Sequence, residues 1–309
     1  LHETQVLNPL YMESYRDRNR QNVSLNLNLF EEVKPVKGLI LRAAQALEGF
    51  DYNYSSNVPP IANFTTPMGD VVQINNGSGQ AQESFQRFYR LTFTNTAEYK
   101  FDIENKHFVT FLLGQEGILS KDKSFAVVAN GLSDNRLVLL SNATSALLPS
   151  HYISETVFNS YFFRGDYSFN EKYYLDASYR FDGSSRFSPD HRWAEFYSLG
   201  AKWNLKAEEF MKNIKWLNEL GVRLSYGSTG NSSIGDYPYQ SILSSSGVVY
   251  EGQSGTVIAQ PGNKNLTWET VASTNIGIDF RLFNRISGGL ELYYKKTSDM
   301  LMAIPYSST

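Results

Sequence analysis

The chain has no cysteine, so a disulfide scaffold and thiolate chemistry are both closed to it. It has little net charge: 28 Lys and Arg stand against 31 Asp and Glu, leaving -3, and no basic run breaks that balance. A nucleic-acid partner is therefore not expected. Nor does any apolar stretch approach the about 20 residues of a membrane helix. That absence excludes spanning helices but not a barrel, whose strands alternate apolar and polar residues and average out as hydrophilic. Catalytic patterns are missing as well: there is no H-E-x-x-H and no G-x-S-x-G. Gly77-Ser78-Gly79 opens like a dinucleotide loop, but Gln82 stands where the third glycine belongs, and no strand–helix frame surrounds it. His2, His107, His151 and His191 are far apart and lack ligand spacing, so strand-end or loop roles are expected for them. Glu31-Glu32 and Glu208-Glu209 are paired carboxylates in expected turns, the second pair suiting the first turn of a short helix. The reading is of a protein that is not an enzyme and calls for no metal or cofactor.

What the chain does have is aromatic side chains and two-residue periodicity. Its 309 residues, enough for one large β-structure, include 20 Tyr and 20 Phe. The clearest stretch is Tyr161 to Phe187. Tyr161, Phe163, Gly165, Tyr167 and Phe169 share one parity, and Phe162, Arg164, Asp166 and Ser168 the other. After the turn Asn170-Glu171, Tyr173, Leu175, Ala177, Tyr179 and Phe181 alternate with Tyr174, Asp176, Ser178, Arg180 and Asp182. Successive strand side chains point to opposite faces, so each run has an aromatic or apolar face and a polar one. Each is about 10 residues, the length of a tilted strand that crosses a bilayer, with aromatics at both ends of the apolar face.

The same period recurs along the chain. Strands are predicted at 23–29, 39–47, 85–101, 107–116, 161–169, 173–181, 197–205, 220–226, 272–282 and 286–294, with the faces of the fourth left open and an extra short strand allowed at 136–140. Short connections fall at Glu31, Glu104, Asn170 and Asn284, with a helical one at Lys206–Ile214. Long loops run 48–84, 117–150 and 228–267, with a shorter one at 183–193. In an antiparallel meander this sorts short turns to one end and long loops to the other, as outer-membrane barrels do. The predicted fold is all-β: an antiparallel transmembrane β-barrel segment of about ten strands, one domain over 1–309, open or incomplete as an isolated fragment.

Arg90, Arg164, Asp166, Asp176, Arg180, Lys202, Arg223, Asp279, Arg281 and Glu291 all fall on the parity opposite the apolar residues. An Arg or Lys facing lipid at midplane costs about 2–4 kcal/mol, so these residues are expected to face a wet lumen. Tyr52, Tyr54, Tyr237, Tyr239 and Tyr250, placed in long loops, are candidates for stacking on substrate. Asp182-Gly183-Ser184-Ser185 is expected to be a tight loop in which Gly183 permits an unusual backbone angle and Asp182 bonds local amides.

Beyond pattern, the residues resemble a family. Arg180-Phe181-Asp182-Gly183-Ser184-Ser185-Arg186-Phe187 is similar to the R-x-D-G-S-S-x-F segment of the SusC/RagA-like TonB-dependent outer-membrane transporters of Bacteroidota. Arg192-Trp193, Phe196, Ser198, Trp203, Glu208, Glu209 and Phe210 follow in that family's order. So do Val222-Arg223-Leu224-Ser225-Tyr226-Gly227 with Thr229-Gly230-Asn231, and the segment Asn263 to Glu269. Asn275, Gly277, Asp279, Phe280, Tyr293, Tyr294, Thr297 and Leu301 complete the match, which covers about the last 140 residues. Tyr197 stands where the family commonly has Pro. The resemblance implies a multi-pass protein of the bacterial outer membrane that imports large nutrients, often oligosaccharides or peptides. It also implies a SusD-like surface lipoprotein and energy from the TonB complex as partners. No plug domain, TonB box or closing strands are recognised, so the chain reads as an internal piece of a longer protein. The rivals are a passive diffusion porin and a soluble glycan-binding β-sandwich. The sandwich would bury the apolar parity against a second sheet.

Overall fold

The computed structural model describes residues 17–58, 60, 64–65, 71–72, 78–134, 136–145, 147–245, 249–250 and 253–302; His2 and Gly77 lie outside them. Ten long strands dominate: β1 (Asp17–Val33), β2 (Leu39–Val58), β3 (Gly79–Ile103), β4 (His107–Leu132), β5 (Leu148–Phe169), β6 (Tyr173–Ser184), β7 (Trp193–Asn204), β8 (Leu217–Asn231), β9 (Glu269–Leu282) and β10 (Ile286–Ser298). They form one ten-stranded sheet in strict sequence order, with β1 and β10 at its two edges. Among the described residues the sheet is not closed. Two- to four-residue strand pairs decorate the long connections, as in Ile242–Ser244 with Val257–Gln260.

Strand contacts divide the chain into two units. One comprises Leu1–Leu27, Leu47–Arg90 and Ser120–Glu155, and the other Asn28–Ala46, Leu91–Leu119 and Thr156–Thr309. In the second unit the turns fix the pairing. Glu104-Asn105, Asn170-Glu171 and Phe283-Asn284 all have φ between 50° and 57°. Each is closed by the next residue's amide: Lys106, Lys172 and Arg285 donate to the carbonyls of Ile103, Phe169 and Leu282 at 3.1, 2.9 and 3.0 Å. Two consecutive left-handed residues make a type I′ turn, whose twist matches that of paired strands. The register that follows sets Phe169 opposite Tyr173 and Leu282 opposite Ile286.

Several strands are longer than predicted. β1 begins at Asp17 and contains Glu31-Glu32, which are therefore not in a turn. β2 runs to Val58, so Tyr52 and Tyr54 are strand residues rather than loop residues. β4 runs to Leu132, and Arg136–Leu140 is not a strand; a 3-10 turn at Leu140–Asn142 follows it. The cause shows on the apolar parity itself. On β2 it passes from Leu39, Leu41, Ala43 and Leu47 to Asp51, and on β3 from Phe93, Leu91 and Tyr89 to Arg87. Arg87 and Asp51 then pair through two hydrogen bonds of 2.7 Å. Lys121 and Glu155, on the same parity of β4 and β5, pair at 3.2 Å. Backbone pairing continues where the apolar alternation stops, so periodicity alone ends each strand too early. Lys206–Ile214 is not one helical turn but two 3-10 turns, Leu205–Ala207 and Glu209–Met211.

The apolar parity is exposed. Tyr173, Leu175 and Tyr179 are 41, 53 and 42% accessible, and Leu199, Leu224 and Leu292 are exposed in the same way. No second sheet covers it among the described residues, which overturns the sandwich alternative. Two rows of rings bound this face. Phe169, Tyr173 and Trp203 stack in succession at 6.3 and 6.2 Å toward the short turns. Tyr161 and Phe181 both stack on Trp193, at 6.3 and 4.7 Å, toward the long loops. From Tyr173 to Phe181 is eight residues, about 26 Å along the strand at about 3.3 Å each. A tilt of about 40° reduces that to roughly 20 Å, close to the apolar band of outer-membrane barrels. The faces of β4 are settled too: Phe111 rings with Phe101 and Phe163 of the outward parity.

Candidate functional site

The polar parity of the second unit is a ladder of paired charges. Arg223 Nε and Nη2 donate to the two carboxylate oxygens of Asp279 at 2.7 and 3.2 Å across β8 and β9. Arg281 reaches Glu219 at 3.1 Å. Arg164 holds Asp166 on its own strand at 2.8–3.0 Å, and Asp166 stands opposite Asp176 in register. Lys202 faces Arg223 across β7 and β8, and its ammonium lies 5.8 Å from the centre of the Tyr174 ring. Glu291 faces Gly277, the register partner of Arg223. Glycines make the ladder possible: a Cβ on Gly277 would meet the Arg223 guanidinium at 3.0 Å, and one on Gly200 would collide with the Asp176 carboxylate. The long charged side chains lie flat across those gaps. Arg90, in the first unit, donates to Ser120 Oγ at 3.2 Å and pairs with Glu48 at 3.4 Å. All ten residues thus lie on the parity opposite the exposed apolar one.

Arg180 is the most heavily bonded of them. Its Nε donates to Asp182 at 2.6 Å, its Nη2 to Ser160 Oγ at 2.9 Å and to Glu116 at 3.4 Å, and its plane lies 5.4 Å from the Phe162 ring centre. Asp182 and Ser160 are buried. Removing one partner of such a half-buried group strands the other, which makes the cluster rigid rather than reactive.

Above it lies a small core that sequence reading did not find. Phe187, Phe196 and Trp268 are buried together, with Phe158, Ala194, Ile234 and Leu266 packed around them. Trp268 Nε1 donates to the Arg192 carbonyl at 2.9 Å, and Ser188 Oγ donates to the Lys264 carbonyl at 2.8 Å. This ties the 185–192 connection to the long 232–268 connection. Asp182-Gly183-Ser184 is correspondingly not a loop but the buried end of β6. Gly183 has no left-handed backbone angle. It is needed for space, because a Cβ there would meet the Trp193 ring at 2.7 Å. Asp182 receives a guanidinium, not the local amides that were expected.

The opposite rim has its own hub. The Glu208 carboxylate accepts from Tyr173 Oη at 2.6 Å, Lys172 Nζ at 2.9 Å and Trp203 Nε1 at 3.1 Å. These three donors lower its pKa from 4.5 to about 2, the tyrosine contributing most. Glu208 thus ties a turn and two strands together at this rim, and its partner set was invisible in sequence. Of the tyrosines proposed for stacking, Tyr54 lies beneath the Arg20 guanidinium at 5.5 Å. Tyr237 and Tyr239 sit half-buried in the 232–268 connection, Tyr237 with φ 58°. Tyr250 belongs to the short strand Val249–Tyr250, with its side chain outside the described residues.

An exposed apolar face between aromatic rows, a charged opposite face and sorted connections define a membrane-spanning β-barrel wall. The chain belongs to the TonB-dependent receptor β-barrel family: the family model described as "TonB dependent receptor-like, beta-barrel" matches residues 5–309. It lies in the bacterial outer membrane. Among its relatives are TonB-dependent receptor P39 of Formosa agariphila, 30% identical over 311 residues and covering 96% of this chain and 28% of that protein. TonB-dependent receptor SusC of Bacteroides thetaiotaomicron is 38% identical over 160 residues, or 50% of this chain and 16% of that one. The structure of the RagAB peptide transporter superposes with a TM-score of 0.87 at 33% identity, over 96% of this chain and 32% of that chain. The expected likeness to SusC and RagA is borne out. The chain spans less than a third of the length of each of these three proteins.

Proposed function

We propose that this chain is one barrel domain, the wall of an active importer of large nutrients, either oligosaccharides or peptides. It works with a SusD-like surface lipoprotein and draws energy from the TonB complex. The carrying observation is the inner-face ladder centred on Arg223–Asp279 and Arg180–Asp182. A wall that only touched water would gain little from ion pairs, since exposed pairs contribute about 0–1 kcal/mol. A wall that must present fixed charge to a protein or ligand inside the barrel gains a defined surface from them. The kinship with the RagAB peptide transporter supports a peptide among the substrates. On this reading the barrel is a passive scaffold: the core of Phe187, Phe196 and Trp268 holds the connections that shape the outer entrance.

Deleting the full-length gene and measuring uptake of fluorescein-labelled oligopeptides and oligosaccharides tests this. Uptake of one class is expected to vanish in the deletion strain, and equally in a strain lacking TonB. Uptake that survives loss of TonB and collapse of the proton-motive force would identify a passive porin instead. Co-purification of a surface lipoprotein with the affinity-tagged receptor is the matching test of the partner.

A further inference from the structure

Back to back with the Arg180 cluster, a second polar group lies on the membrane side of the wall. On the inner parity Thr94 Oγ1 donates to Glu116 at 3.3 Å, and Arg180 reaches both Glu116 and Ser160. The chain neighbours of these three residues are Asn95, Gln115 and Asn159, which share the outward parity with the exposed Phe93, Leu113 and Tyr161. Asn95 Nδ2 donates to Gln115 Oε1 at 3.1 Å. Gly117 leaves a notch beside them: a Cβ there would lie 3.6 Å from Gln115 Nε2 and 3.3 Å from Asn159 Oδ1. Carboxamides from three strands thus meet around one glycine on a face of Leu, Phe and Tyr. Their depth follows from register. Asn159 stands opposite Gly183, and the next outward pair toward the short turns is Tyr161 with Phe181, the two rings that stack on Trp193. Short turns face the periplasm in such barrels, so this row marks the outer leaflet, at the level where acyl chains meet headgroups.

We propose that this notch binds a glycolipid of the outer leaflet whose acyl chains are amide-linked and hydroxylated. Each carboxamide offers two N–H donors and an acceptor oxygen. Among the described residues the three make one hydrogen bond, that from Asn95 to Gln115. Gln115 Nε2 and Asn159 Oδ1 therefore flank the notch as a donor and an acceptor without a protein partner among those residues. Hydrocarbon satisfies neither, and an unpaired polar group there is costly. A hydroxyl or an amide seated over Gly117 satisfies both, accepting from Gln115 and donating to Asn159. The ester groups of an ordinary phospholipid only accept, so they leave the Asn159 oxygen unpaired. A group that both donates and accepts, placed at the head of an acyl chain, is what an N-acylated and hydroxyacylated glycolipid brings to this depth. The rigid inner-face cluster of Arg180, Glu116 and Ser160 fixes the backbone from which the three carboxamides project.

The test uses the full-length receptor in dodecyl maltoside, incubated with purified lipid A or with palmitoyl-oleoyl phosphatidylethanolamine. Lipid retained after repeated detergent exchange is counted by native mass spectrometry. Wild type is expected to retain lipid A in preference to the phospholipid. Retention of lipid A is expected to fall at least about tenfold in Gln115→Leu/Asn159→Leu, the worth of two lost hydrogen bonds, with phospholipid retention unchanged. Heat-modifiable electrophoretic mobility verifies that the variant barrel is folded. Should it not fold, Asn159→Leu alone is expected to lower retention in the same direction. Equal retention of lipid A by wild type and a folded variant overturns the proposal, as does a wild type that holds both lipids equally or neither. A dimer that the variant splits, with lipid A retention unchanged, also overturns it and assigns the carboxamides to a second copy.

Discussion

The outward parity of these strands carries two chemistries along its length, and the boundary between them is more informative than either. On β5 to β8 it reads Phe163, Leu175, Ala177, Leu199 and Leu224 between two rows of stacked rings. On the long-loop halves of β2 to β5 the same parity carries Asp51 with Arg87 and Lys121 with Glu155. The backbone is the same ladder in both. What differs is the solvent. In hydrocarbon a charge must be absent, whereas in water an exposed pair is cheap to keep and adds little.

The sharpest way to break this comparison is to place one charge on each side of the boundary. Leu199→Arg is expected to destabilise the full-length receptor by about 2–4 kcal/mol, the cost of Arg near midplane, since Leu199 stands opposite Ala177, midway between the two aromatic rows. Phe125→Arg, on β4 beyond the apolar run, is expected to lose no more than about 1.5 kcal/mol, the worth of its ring contact with Phe85. Guanidinium unfolding in lipid vesicles measures both, and equal costs would mean the boundary is misplaced. Next in size, Trp193→Ala is expected to cost about 1–3 kcal/mol through its two ring contacts. Gly183→Ala drives a methyl into the same ring, so the double variant should cost less than the sum of the singles. Strict additivity would show that Gly183 serves something other than Trp193.

A third test concerns the lower border. Glu208, held near 2 by Tyr173, Lys172 and Trp203, has a folded pKa below its ordinary 4.5. Its contribution is therefore complete above about pH 4.5 and lost as pH falls through 2. Glu208→Gln should flatten that stretch of the stability–pH curve; an unchanged slope would remove Glu208 from the rim. The smallest effect is expected at Asp51 and Arg87. A double-mutant cycle should return a small coupling that shrinks with added salt. A coupling insensitive to salt would place this pair in hydrocarbon after all.

Much of this was legible in the sequence. Alternation gave ten strands, and Asn170-Glu171 gave a turn that proved to be a primed one. The charges expected on the polar parity include the pair Arg223 and Asp279 on neighbouring strands. Strand length was not legible, because a strand that leaves the bilayer keeps its hydrogen bonds and drops its apolar period. Tyr52 and Tyr54 were misplaced for that reason. The role of Gly183 was misread because its constraint is a ring ten residues away at Trp193, not its own dihedral angle. The core of Phe187, Phe196 and Trp268 joins connections that no local pattern links, and the three donors of Glu208 come from two strands and a turn. The likeness to known receptors supplied the family, but not these contacts.

The three primed turns have one consequence for how such a wall is assembled. Each is too short to let its strands slide, and a slip of one residue exchanges the two parities. On β6 that exchange would turn Asp176, next to mid-depth, and Arg180, beside the Phe181 ring, outward into lipid. A hairpin with the wrong register is thus rejected by the lipid before it is ever tested by its neighbours. The membrane acts as a proofreader of strand pairing, and Glu104-Asn105, Asn170-Glu171 and Phe283-Asn284 are where the text it reads is set.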